Sequence, residues 1–156
     1  MPPNQSLEGA LKGIRVIDFS RIVAGPHCTM CLADLGAEVI KLEDPRAGDD
    51  LRYHKPPDMK CDSPYFLSLN RNKSSVAVNL ADPEGKQVVH DLLATADVLV
   101  ENFRTGVMER HGVGYEDLRE KFPRLIYCSI SGYGREGSQK SRAAYDPVVQ
   151  AESGQM

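Results

Sequence analysis

With 156 residues, 41% of them hydrophobic and 26% charged, the chain is long enough for one domain with its own core and too short for two. Its 22 acidic residues outnumber the 19 basic ones, and the net charge of −3 argues against a broad nucleic-acid-binding face while leaving room for a local basic site. No apolar run reaches bilayer-spanning length, and the N-terminal MPPNQSLEGALKG has neither a secretory nor a transit pattern. The sequence therefore predicts a soluble cytoplasmic protein, the alternative being a mitochondrial-matrix chain.

Short apolar runs alternate with amphipathic ones. IRVIDF, residues 14–19, is β-branched and bounded by Gly13 and Ser20, the pattern of a first strand. A helix is predicted from about Pro26 to Leu35, with Pro in its first turn and Gly36 beyond its end. AEVIKLE, from Ala37, reads as a second strand. Residues 45–72 are polar and Pro-rich and read as a long connection with one short helix around Tyr65 to Asn70.

SSVAVNL, from Ser74, is the third predicted strand. Asp82-Pro83 then opens a helix whose apolar face is Val88, Val89, Leu92, Leu93 and Ala96. DVLVEN and RLIYCSI complete five strands, with short helical pieces near 106–111 and 115–121 between them. Strands separated by helices predict a parallel, doubly wound α/β sheet, which binds ligands at the carboxyl edge of its strands. AAYDPVVQAESGQM opens another helix and stops at Met156 with no closing strand, the expectation for a cut chain.

Cysteines stand at 28, 31, 61 and 128. No second close pair accompanies Cys28-Thr29-Met30-Cys31, so a zinc ribbon is not supported and no metal site is predicted. Cys28, Cys31, Leu32 and Leu35 fall at i, i+3, i+4 and i+7, which places both thiols on one apolar stripe and favours core packing over redox chemistry. The preceding turn, SRIVAGP, is more informative. Arg21 and the N–H groups near Ala24 and Gly25 would lie at the positive end of a helix, where phosphate binds, although Arg21 alone reads equally as a surface charge. No G-x-G-x-x-G or Walker sequence occurs.

Other candidates share that placement at strand ends. GDDLR (48–52) is one. Asn102 reads as a nucleotide contact or a turn cap, and Phe103 as an adenine platform or a core residue. Arg110 reads as a phosphate contact or a helix-end charge. SGYG (131–134) is a Gly-rich turn able to approach a ligand, and Tyr145-Asp146 is an isolated polar pair or a helix cap.

Taken in order, LKGIRVIDFSRIVAGP, LADLGAEVIKLEDPRAGDDLR, YFLSLNRNKSSVAVNL, DPEG, ADVLVENFRTGVMER, GVGYEDL, PRLIYCSISGYG and AYDPVVQAESG make the chain resemble the N-terminal part of the class III CoA-transferase family, which includes α-methylacyl-CoA racemases. The match runs over residues 10–154. The resemblance implies a single, incomplete CoA-binding domain over residues 1–156, with a Rossmann-like α/β fold that belongs to a larger, interlocked homodimer. It also implies exchange of CoA between an acyl-CoA and a carboxylic acid. In that chemistry an aspartate attacks the thioester, the departing thiolate returns to form an aspartyl-CoA thioester, and the acceptor acid resolves it.

Carried over position by position, the CoA contacts implied are Arg21, Ile22, Val23, Ala24, Val78, Asn102, Phe103, Arg104, Arg110, Ala143, Tyr145 and Asp146. Tyr65, Tyr145 and Asp146 border the acyl pocket. Two departures stand out. Asp44 occupies a position where some relatives carry Arg, with Arg46 nearby as a substitute, and Ala81 replaces a Lys. The nucleophilic Asp is expected downstream of Met156, so the chain alone is expected to be inactive. CoA is substrate rather than a tightly held cofactor, and neither nucleic acid nor membrane is an expected partner. A racemase would carry His where this chain has Tyr145, which favours the transferase.

Overall fold

The computed structural model describes residues 9–156; residues 1–8, part of the segment read above as lacking a targeting signal, lie outside them. Five parallel strands form one sheet: β1 (Arg15–Asp18), β2 (Glu38–Glu43), β3 (Lys73–Ala77), β4 (Val98–Glu101) and β5 (Ile126–Ser129). Their order is β3-β2-β1-β4-β5. This is a doubly wound order, which reverses between β1 and β4. The register pairs Ile17 with Ile40 and Leu99, and Val16 with Val39 and Val98, so apolar residues of three strands align in layers.

Both faces of the sheet carry apolar packing, as parallel strands require. On one face Ile17, Leu42 and Leu99 pack with Val89 and Leu93 of α3 (Pro83–Leu93), Met108 of α4 (Val107–Arg110) and Leu118 of α5 (Tyr115–Leu118). On the other, Val16, Val39 and Val100 pack with Ala33 of α1 (Ala24–Asp34). A last helix, α6 (Asp146–Ser153), follows an irregular segment after β5.

The stripe assigned to the cysteines is rotated. The buried residues of α1 are Gly25, Pro26, Thr29, Met30 and Ala33, whereas Cys28 is half-buried and Cys31 exposed. Polar and apolar partners both set this rotation. Thr29 Oγ1 donates to the buried carboxylate of Asp18 at 2.6 Å, and Met30 packs with Leu51, Phe66 and Leu69 of the long connection. Val88 of α3 is likewise exposed, because Val89, Leu93 and the half-buried Leu92 and Ala96 carry the contact.

The long connection is structured and covers the carboxyl end of the α1 face. A 3₁₀ turn spans Asp50–Tyr53, and α2 spans Pro64–Leu69. Ser63 links the two: its hydroxyl donates to the Leu51 carbonyl at 2.6 Å and accepts from the Phe66 N–H at 2.9 Å. Ser followed by Pro at the first helical position is a helix start that needs no other support.

Candidate functional site at the carboxyl edge of the sheet

Where the strand order reverses, the loops leaving β1 and β4 diverge and leave a crevice. Asn102 ties the two together. Its side-chain oxygen accepts from the Arg21 N–H and its side-chain nitrogen donates to the Arg21 carbonyl, both at 2.8 Å. The Asn102 amide, read as a nucleotide contact or a turn cap, is thus engaged with the loop after β1. Gly25 sits against Ser20 and Asn102 so closely that a Cβ would collide with the Ser20 side chain. Ile22 adopts φ 65°, a left-handed conformation that β-branched residues avoid.

Two clefts open here. The larger, about 840 Å³, is lined by Arg21, Ile22, Val23 and Ala24 from the first loop and by Asn102, Phe103 and Arg104 from the second. Ala143, Tyr145 and Asp146 close it from the start of α6, and Tyr65 reaches it from α2. The smaller, about 260 Å³, lies between the ends of β2, β3 and β4 and is lined by Val78, Leu80, Ala81, Asp44, Arg46 and His111 among others. Arg21, Phe103 and Val107 belong to both. The Arg21 guanidinium sits 5.6 Å from the Phe103 ring centroid and 3.9 Å from the Asp50 carboxylate, a loose pairing on a half-buried side chain.

The structure therefore gathers eleven of the twelve implied CoA contacts around two adjoining clefts. Arg110 is the exception: it is exposed on α4 and lines neither. Arg46 pairs with Asp44 at 3.3 Å at the mouth of the smaller cleft. No side chain caps the start of α1, so its first-turn N–H groups are not claimed by a capping residue where the larger cleft meets Val23 and Ala24. Cys28 is not an activated thiol. Burial pushes its ionisation up, and Cys128 and Asp18 add to the rise.

Beneath the clefts lies a set of charged residues of which the sequence reading singled out only Asp49, within GDDLR (48–52). Asp18, Lys41, Glu43, Asp49 and Glu101 are all buried. Asp18 accepts from the Ser20 N–H at 2.9 Å and from Lys73 Nζ at 3.2 Å. Burial disfavours the charged forms of Lys73 and Glu43. Lys73 is accordingly lowered, while at Glu43 hydrogen bonds from Arg52, Ser75 and the Asp49 N–H outweigh burial and hold the carboxyl at about 2. On the other side Arg135 donates to Glu101 at 2.8 Å, to Ser129 Oγ at 2.6 Å and to the Phe103 carbonyl at 2.7 Å. The Gly-rich turn after β5 is thereby anchored to the loop after β4. The available signal was alternation: Lys41 and Glu43 recur at i and i+2 with Val39, on a strand face that is otherwise apolar.

Over residues 11–156 the sequence matches the model of CoA-transferase family III. The chain belongs to this family. It is 52% identical over 146 residues to the succinyl-CoA:glutarate CoA-transferase of Mus musculus, covering 94% of this chain and 34% of that protein. It is 44% identical to the succinate–glutarate CoA-transferase of Agrobacterium fabrum, covering 94% of this chain and 38% of that one. A crystal structure of a CAIB/BAIF family protein from Brucella suis superposes with a TM-score of 0.89 at 42% identity, covering 94% of this chain and 40% of the other. The chain thus spans about a third of the length of these curated relatives.

Proposed function

We propose that this chain supplies the CoA-binding part of an acyl-CoA transferase that moves CoA between an acyl-CoA and a carboxylic acid. The observation that carries the reading is the Asn102 clamp on Arg21, which fixes the floor of the larger cleft where the family match and the sheet's order reversal coincide. Membership of the family and the cleft's lining support it together.

In this reading the adenine end of CoA lies by Phe103 and Val78 in the smaller cleft, with Arg21 toward its phosphates. The uncapped start of α1 adds the partial positive charge that suits an anion. The thioester end runs into the larger cleft toward Tyr65, Tyr145 and Asp146. In this reading CoA moves through an aspartyl intermediate whose nucleophile is an aspartate other than Asp146, as the family resemblance implies. Short dicarboxylic acids are the substrates we assign, following the names of the succinyl–glutarate relatives at 52% and 44% identity. Tyr145, where a racemase of the family would have His, favours transfer over racemisation.

Titration calorimetry of the purified chain with CoA tests the binding role. Saturable one-to-one binding is expected, and its absence would remove the proposal. Incubation of the chain alone with succinyl-CoA and glutarate is expected to form no glutaryl-CoA. Measurable transfer would contradict the assignment of the nucleophile.

A further inference from the structure

Consecutive peptide groups after β1 are held by side chains reaching in from separate parts of the sheet edge. The Ser20 N–H donates to Asp18, and the Ser20 carbonyl accepts from Lys41 Nζ at 2.7 Å. Both peptide groups of Arg21 are held by Asn102. The Ile22 N–H donates to Asp49 Oδ1 at 3.1 Å, and the same oxygen accepts the Leu51 N–H at 3.0 Å. The other oxygen, Asp49 Oδ2, has no aligned hydrogen-bond donor yet lies 3.0 Å from Lys41 Nζ, with both side chains essentially inaccessible. Their attraction is that of a buried ion pair, and each member holds one end of the same three-residue run.

Ile22 at φ 65° shows what this arrangement opposes. A β-branched residue in the left-handed region persists only where its surroundings over-determine it, and such residues gather at ligand-binding sites. A buried ion pair is also a poor means of stabilising a fold, since an apolar pair of similar volume usually serves as well.

We infer that Lys41 and Asp49 are positioning residues for CoA: their ion pair holds the Ser20–Ile22 loop in the strained shape that the ligand meets. The inference rests on the proposed CoA-binding role. The pair touches the loop's backbone and is sealed from the clefts, so it acts through Ile22 and Ser20 and not on the ligand.

The test separates shape from stability. Lys41→Met/Asp49→Leu removes both charges and fills the space but leaves the Ser20 carbonyl and the Ile22 and Leu51 N–H groups without their partners, so its urea midpoint is expected to fall and CoA binding is compared where the variant is fully folded. The dissociation constant for CoA is expected to rise about tenfold as Ile22 relaxes. A folded double variant with wild-type affinity would overturn the inference.

Should the double variant fail to fold, Asp49→Asn serves, since it keeps the side chain's shape but weakens the bond to Ile22. Its Ile22 amide is expected to exchange about tenfold faster while the β1 amides of Val16 and Ile17 keep their protection. Unchanged exchange at Ile22 would overturn the claim that the pair holds the loop. Wild-type protein that binds no CoA would instead sink the proposed function and the ligand clause with it, and the exchange measurement then decides whether the pair shapes the loop.

Discussion

Acid should unlock the end of β2 through a single carboxylate, Glu43. Its side chain is 4% exposed and takes two hydrogen bonds from Arg52, at 2.6 and 2.8 Å, one from Ser75 at 2.6 Å and one from the Asp49 N–H at 2.9 Å. Burial opposes ionisation, but these donors prevail and lower the pKa from 4.5 to about 2. A carboxyl depressed in the folded state binds fewer protons there than in the unfolded chain. Its stabilisation is therefore complete above pH 4.5 and is lost as pH falls from 4.5 toward 2. The depression of roughly 2.5 units is worth about 3 kcal/mol.

Urea unfolding followed by circular dichroism between pH 7 and pH 2 compares the wild type with Glu43→Gln. The glutamine variant is expected to be about 2–3 kcal/mol less stable at pH 7, since Arg52 keeps a second partner in Asp62. The gap should close as the pH approaches 2. Curves that stay parallel across the whole range would refute the reasoning, because they would show that Glu43 does not titrate differently in the two states.

Other expectations follow from the same contacts. Gly25→Ala drives a methyl into the Ser20 side chain and should destabilise the chain by about 1–3 kcal/mol, read as a lowered urea midpoint. Asn102→Ala leaves the Arg21 peptide without its partners and should weaken CoA binding by at least about tenfold by calorimetry. Val89→Ala, fully buried on α3 and lining neither cleft, should cost about 1–3 kcal/mol in denaturant while leaving CoA affinity within about twofold. Thiol titration should find Cys31 accessible and Cys28 ionising above the ordinary range, and Cys28 as a thiolate at pH 7 would contradict its burial.

Strands and helix starts were legible because their causes are local. The β-branched runs IRVIDF and AEVIKLE, and the Asp82-Pro83 start with Asp82 accepting the Glu84 N–H at 2.9 Å, act within a few residues. The loops that line the clefts were legible for a different reason: ligand-facing loops of a doubly wound sheet follow the carboxyl ends of the strands, and the strand ends were readable. What failed was rotational phase. Cys28 and Cys31 fit a helical stripe as well as Thr29 and Met30 do, and the choice is made by Asp18 and by Phe66 and Leu69 of the distant connection. The buried ion pairs were illegible for the same reason. Nothing local couples Lys41 to Asp49 or Glu43 to Arg52 until the connection folds back over the sheet edge.

The account stands most directly on where CoA touches the chain. Amide chemical-shift mapping of isotopically labelled protein titrated with CoA reads that site residue by residue. The account predicts saturable shifts concentrated at Arg21 to Ala24, at Phe103 and Arg104 and at Val78, with little change at Arg110. Absent shifts, or shifts centred away from the carboxyl edge of the sheet, would contradict it.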